Sequence, residues 1–134
     1  MHNPPMIPAR TGVSKRFLLL AAVAVALIGC GGEKDDRPAR WSFISSTITE
    51  PSCATVNCHS AIAERAGVDL HDRTNGYRDL VTRNFVIPGN QTSTSPLIYL
   101  MMGKGSLRMP PDSSLPLADI DLIDRWIQAG ANND

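Results

Sequence analysis

Apolar residues fall along this chain in short runs at helical spacing, separated by stretches rich in Gly, Ser and Pro. Residues 17–28 (FLLLAAVAVALI) form one unbroken apolar run. Trp41, Phe43, Ile44 and Ile48 then recur at roughly helical intervals, and Pro51 is expected to end that helix. Residues 60–66 (SAIAERA) predict a short helix stopped by Gly67. Residues 75–82 predict another, with Tyr77, Leu80 and Val81 on one side. Residues 83–94 read as a loop turning at Pro88-Gly89-Asn90. Ser95 followed by Pro96 is an N-cap with proline at the first helical position, and Gly103 closes that helix. Residues 103–116 are a loop. Finally Ile120, Ile123, Trp126 and Ile127 make an apolar stripe with Asp119, Asp121 and Asp124 towards its N-terminal half and Gly130 beyond its end. No stretch alternates as a strand should. The pattern predicts an all-α domain of four or five short helices.

The apolar run is preceded by Arg10, Lys15 and Arg16 and by no acidic residue, and it is followed by Gly29 and Cys30. A positive n-region, a short h-region and a small residue at the cut make a signal peptide. Twelve residues are too few for a span, which needs about 20. Leu27-Ile28-Gly29-Cys30 resembles the bacterial lipobox, in which the cysteine is lipidated and becomes the first residue of the mature chain. The polar segment Gly31-Gly32-Glu33-Lys34-Asp35-Asp36 that follows suits a tether. Three regions are therefore expected: a cleaved signal peptide over 1–29, a lipidated Cys30 with a flexible tether over 30–39, and a folded domain over 40–134. The location implied is the periplasmic side of a Gram-negative envelope membrane, with the bilayer held through Cys30.

Composition sharpens this. The 134 residues carry 13 basic and 13 acidic side chains, but cleavage before Cys30 removes three positive charges and leaves a mature net charge of −3. Such a balance excludes a polybasic nucleic-acid binder. Aromatic residues are only 5% of the chain, and there are ten glycines and ten prolines, so side chains alone build a thin core. With Cys30 assigned to lipid, Cys53 and Cys58 remain as a pair.

They lie in Cys53-Ala54-Thr55-Val56-Asn57-Cys58-His59. Two thiols followed at once by histidine can attach haem c: each thiol adds to a vinyl group and the imidazole ligates iron. The usual spacing has two intervening residues. Here there are four, which requires the intervening loop to bulge away from the porphyrin. The same residues would serve a plain Cys53–Cys58 disulfide, natural in an oxidising compartment. A zinc site needs four ligands, and His71 is the only other histidine of the mature domain. A redox dithiol has closer spacing and a βαβ setting. Haem c is the reading the pattern favours.

A low-spin electron-transfer haem takes a second axial ligand, often a thioether. Met101, Met102, Met109 and His71 are the candidates. Met101 and Met102 fall inside a helix, where core packing explains them. Met109 precedes Pro110 and Pro111, and a rigid Pro-flanked loop holds a sulfur against iron without helical backbone intruding. Arg108 beside it is a candidate to neutralise a haem propionate, against the surface role that arginines most often have.

From Trp41 to Asn132 the sequence resembles the small monohaem cytochrome c lipoproteins of myxobacteria and planctomycetes. The resemblance is carried, in order, by the C-x4-C-H segment with Ser60 behind it, Val68-Asp69-Leu70, Leu80-Val81 and Val86-Ile87-Pro88-Gly89. It continues through Ser95-Pro96-Leu97, Arg108-Met109-Pro110-Pro111 and Trp126-Ile127-Gln128-Ala129-Gly130-Ala131. It implies a class I-like cytochrome c, with four to five short helices around one covalently bound haem. Cys53 and Cys58 would carry the thioethers, with His59 as proximal and Met109 as distal iron ligand. Pro88 would supply the carbonyl that orients the proximal imidazole. Ala118 stands where the family's last helix starts with Ser or Thr, so its cap is weaker by about 1 kcal/mol. The function implied is a membrane-tethered electron carrier serving redox proteins of the envelope, and not an enzyme. Two alternatives remain: a haem sensor or peroxidase-like module with a labile Met109, and a haem-free envelope lipoprotein closed by a disulfide.

Overall fold

In a computed structural model, residues 34–89, 95–103 and 108–134 are described. The expected signal peptide, Cys30, Asn90 and the loop residues 104–107 lie outside them. The described residues are helical, with no strand among them. The α-helices are α1 (Trp41–Ile44), α2 (Glu50–Cys53), α3 (Arg73–Thr82), α4 (Pro96–Met101) and α5 (Leu117–Gln128), with a π-helical segment Ser45–Thr49 and a 3₁₀ turn Arg65–Gly67.

The first helix does not end at Pro51. It runs through α1, the π segment and α2 to Cys53. The Glu50 N–H donates to the Ser45 carbonyl, five residues back. This wider turn lies just before Pro51, so its ring meets no carbonyl in a tight α register and its missing N–H falls where the register changes. Trp41, Ile44 and Ile48 are buried along one face.

Residues 60–66 are not a helix either. Glu64 (φ 39°) and Ala66 (φ 58°) take left-handed conformations, and the Arg65 N–H donates to Cys58 O (3.1 Å). The Ser60 hydroxyl donates to Val56 O, and it accepts from Ala63 N. Hydrogen bonds back to the cysteine loop thus outcompete helical propensity.

α3 begins two residues earlier than predicted, because Asp72 caps it: its carboxylate accepts from the Thr74 and Asn75 N–H groups. α4 starts at Pro96 as expected, but Ser95 does not cap it. The buried Ser95 hydroxyl donates instead to Phe85 O (3.0 Å), tying the loop to the helix start. α5 has Pro116 at its N-cap and no side-chain cap. Its first-turn Asp119 accepts from the Arg37 guanidinium (2.6 Å), which supplies positive charge to an N-terminal carboxylate from outside the helix.

That contact belongs to a small ion-pair group at the N-terminal edge of the domain. Arg37 also bonds Asp35, and Asp35 accepts from Arg125 (3.0 Å) on the same helix. The packed unit is Asp35–Asp134, so it starts five residues before the expected boundary.

The core has two parts. Trp41 and Trp126 stack with ring centroids 5.1 Å apart, and Tyr77 meets Trp126 edge-on at 6.4 Å. Both indole N–H groups are satisfied, by Arg73 O and Asn132 O. Three of the chain's seven aromatic side chains thus gather where α1, α3 and α5 meet. The other part surrounds a cavity.

Candidate functional site

The cavity has a volume of about 150 Å³ and is partly open to solvent. Its walls are apolar, built from Leu70 and Leu80, Phe85 and Leu97 around α4, and Ile123 of α5. The exceptions are chemically specific. Cys53, Cys58, His59 and Met109 all line it.

Local structure explains how the first three reach one wall. The long helix delivers Cys53 at its last turn, where Ala54 N shares the Thr49 and Glu50 carbonyls. The chain then turns, with Cys58 N donating to Thr55 O (2.9 Å) and His59 N to Cys53 O (3.1 Å). Thr55, Val56 and Asn57 go outwards, leaving Val56 74% exposed, while Ala54 packs against the core. Both cysteines are free thiols. Burial first, and the neighbouring Cys58 second, push the Cys53 thiol up to about 11.

The imidazole is held from behind. Leu70 N donates to His59 O (2.8 Å), which lays residues 68–70 alongside. His59 Nδ1 lies 3.3 Å from Val68 O. A carbonyl only accepts, so Nδ1 is the donor in this contact. The orienting carbonyl is therefore Val68's. Pro88, expected in this role, is exposed and is not among the cavity residues, because the 59–70 pairing has already filled the position behind the ring.

Met109 is fixed by its N–H, which donates to Leu100 O (3.1 Å) at the end of α4. Met101 also lines the cavity and is buried, whereas Met102 is 48% exposed, and His71 is exposed away from it. Two sulfurs thus face the same space, one from a helix and one from the Pro-flanked loop. Arg108 does not join them. Its guanidinium donates to Pro111 O (2.8 Å) and Ser114 Oγ (3.3 Å), which braces the Met109 loop internally. Among the described residues the one arginine or lysine on the cavity wall is Arg65, an exposed residue between the left-handed Glu64 and Ala66. Nothing in its sequence surroundings marks it, since the expected helix over 60–66 would have put it on a solvated face.

Among the described residues no group of three or more His, Cys, Asp and Glu side chains converges as a bare-ion site would require. The donor set has another character: two thiols, one imidazole, two thioethers and an apolar wall. That set suits a planar apolar group carrying its own equatorial ligands. No protein-family model, curated protein or solved structure matches the chain.

Proposed function

We propose that the chain is a lipid-tethered electron carrier of class I-like cytochrome c type, holding one haem c through Cys53, Cys58, His59 and Met109. The observation that carries this reading is that those four side chains, dispersed over 57 positions, line one apolar cavity. A haem held there supplies one-electron exchange at its iron. Cys53 and Cys58 would hold the group as thioethers beside the helix end that carries Cys53. His59 would hold the metal through Nε2, with Val68 O orienting its ring. Met109 offers a soft sulfur from a loop braced by Arg108, and a thioether favours the ferrous state relative to a second imidazole. Arg65, on the cavity wall, would meet a propionate. The apolar walls would limit the access of water to the group. With His59 and Met109 both holding the group, the role would be transfer between redox proteins of the envelope, with anchoring to the membrane through Cys30.

The test is a visible spectrum of the chain exported to a periplasm equipped for haem attachment. The expected result is a c-type reduced α-band and a weak ferric sulfur-to-iron band that Met109→Ala removes and Met101→Leu leaves. Absence of Soret absorption refutes the reading. Carbon monoxide binding to the reduced parent at neutral pH would make it a sensor instead.

A further inference from the structure

We propose that Asp79 acts on the His59 imidazole through a single peptide group, as a positioning residue that sets how strongly His59 donates to its ligand. The inference rests on the haem reading above. Val68 C=O and Asp69 N–H are the two ends of one conjugated amide. The carbonyl end lies 3.3 Å from His59 Nδ1, and the N–H end donates to Asp79 Oδ2 at 3.0 Å. Ring, amide and carboxylate thus form one chain of hydrogen bonds, Nδ1–H to carbonyl and N–H to carboxylate.

The carboxylate is placed to polarise that amide. Asp79 is 7% exposed, so its field is screened less than a surface charge would be. Its other oxygen accepts from Arg78 Nε (2.9 Å), whose side chain is 58% exposed. The neighbouring Asp69 carboxylate is occupied elsewhere, by His71 N (2.8 Å) and Asn75 Nδ2 (3.0 Å), and these bonds hold the 68–70 segment in register with α3. Burial raises the Asp79 carboxyl, but the Arg78 guanidinium and the Asp69 N–H outweigh it and keep the group below the ordinary carboxylate value, hence ionised. A carboxylate pulling on the N–H increases the negative charge on Val68 O, because linked hydrogen bonds strengthen one another. The His59 Nδ1–H bond tightens, and Nε2 becomes the more basic donor. A more basic ligand stabilises the more highly charged, oxidised metal. Asp79 therefore lowers the reduction potential.

The test uses the full chain loaded with haem and titrated spectroelectrochemically. Asp79→Asn keeps the size and an acceptor for Asp69 N–H but removes the charge. Its reduction equilibrium should move roughly three- to tenfold towards the ferrous form, about 28–59 mV upwards at 59 mV per decade. Arg78→Gln should shift it the opposite way, because the carboxylate is then less compensated. Both variants should keep the parent's helical circular dichroism and its sulfur-to-iron band. A merely structural role for Asp79 produces no such pair of opposite shifts. An unchanged or lowered potential in folded Asp79→Asn overturns the relay. Should Asp79→Asn fail to fold, Arg78→Gln on its exposed side chain decides: a lowered potential supports the relay, and an unchanged or raised one overturns it. A parent without Soret absorption overturns the haem reading and this inference with it, and is told apart from failure of the relay alone by that spectrum.

Discussion

Gly67 is where the turn behind the imidazole depends on a single residue type, and Gly67→Ala tests that dependence. Gly67 has φ +67°, its N–H donates to Glu64 O at 2.7 Å, and Val68 follows at once with the carbonyl that faces His59. A Cβ at this position would lie 2.6 Å from Arg83 Cζ and 2.8 Å from Nη1, and closer still to Nη2. Two effects contribute, and they differ in size. The guanidinium is the far end of a flexible, exposed side chain, so swinging it aside costs a few tenths of a kcal/mol, typical of a surface change. The left-handed backbone cannot be relieved that way, and alanine there costs about 1–2 kcal/mol. For a domain of this size about 1 kcal/mol lowers the melting temperature by roughly 4–8 °C. Thermal unfolding followed by circular dichroism should show that fall in Gly67→Ala. Adding Arg83→Ala should recover only a small part of it. Recovery of most of the loss by the second substitution would make the effect steric and refute the backbone argument. So would a Gly67→Ala protein as stable as the parent.

Two further outcomes follow from ionisation. Arg37 first, with its N–H and the charge of Arg125 in support and burial opposing, lowers Asp35 from 3.8 to about 2. The folded value is below the unfolded one, so the stability this contact adds is present above about pH 4 and is lost as pH falls towards 2. Melting temperature against pH should show that loss in the parent and not in Asp35→Asn; parallel curves would contradict it. Cys53, pushed up to about 11 from 9.0, has a thiolate fraction about a hundredfold below an ordinary thiol near neutral pH. In the haem-free chain iodoacetamide should label it correspondingly slowly until urea is added, and labelling at an ordinary thiol's rate without urea would show that Cys53 is not buried.

How much was legible in the sequence divides by the range of the interactions involved. The helix stripes ending at Thr82, Met101 and Gln128 could be read from periodicity, because burial of one face decides them locally. Cys53, Cys58, His59 and Met109, singled out by the motif and the Pro-flanked loop, line one cavity. What escaped was set by partners distant in sequence. Residues 60–66 have helical propensity, yet the Cys58 and His59 carbonyls capture Arg65 N and Leu70 N and bend the chain the other way. Ser95 has every local mark of a cap, but Phe85 O takes its hydroxyl. Arg108 is adjacent to Met109 in sequence and points back into its own loop. Pro88 yields the histidine to Val68, a choice that depends on the pairing of 59 with 70. Asp79 carries no signal at all until the Asp69 N–H is seen to meet it.

The division of the core bears on how the proposed group enters. Trp41, Tyr77 and Trp126 close one end of the domain with paired indole N–H groups and stacked rings, and that end needs no ligand to be complete. The other end has apolar walls open at a mouth, and an apolar surface left against water offsets part of the stability that the first end contributes. A planar apolar group in that space changes the sign of this contribution, since it removes the same walls from water and supplies the surface that an aromatic content of 5% does not. The residues that would attach it are also grouped for this. Cys53, Cys58 and His59 lie within seven positions, so thioether formation requires only the helix end and the following turn, whereas Met109 reaches the cavity through Leu100 of α4. Attachment at the cysteine loop can therefore precede docking of α4 and the Met109 loop, and on this reading the second half of the domain folds onto the group rather than admitting it into a finished cavity.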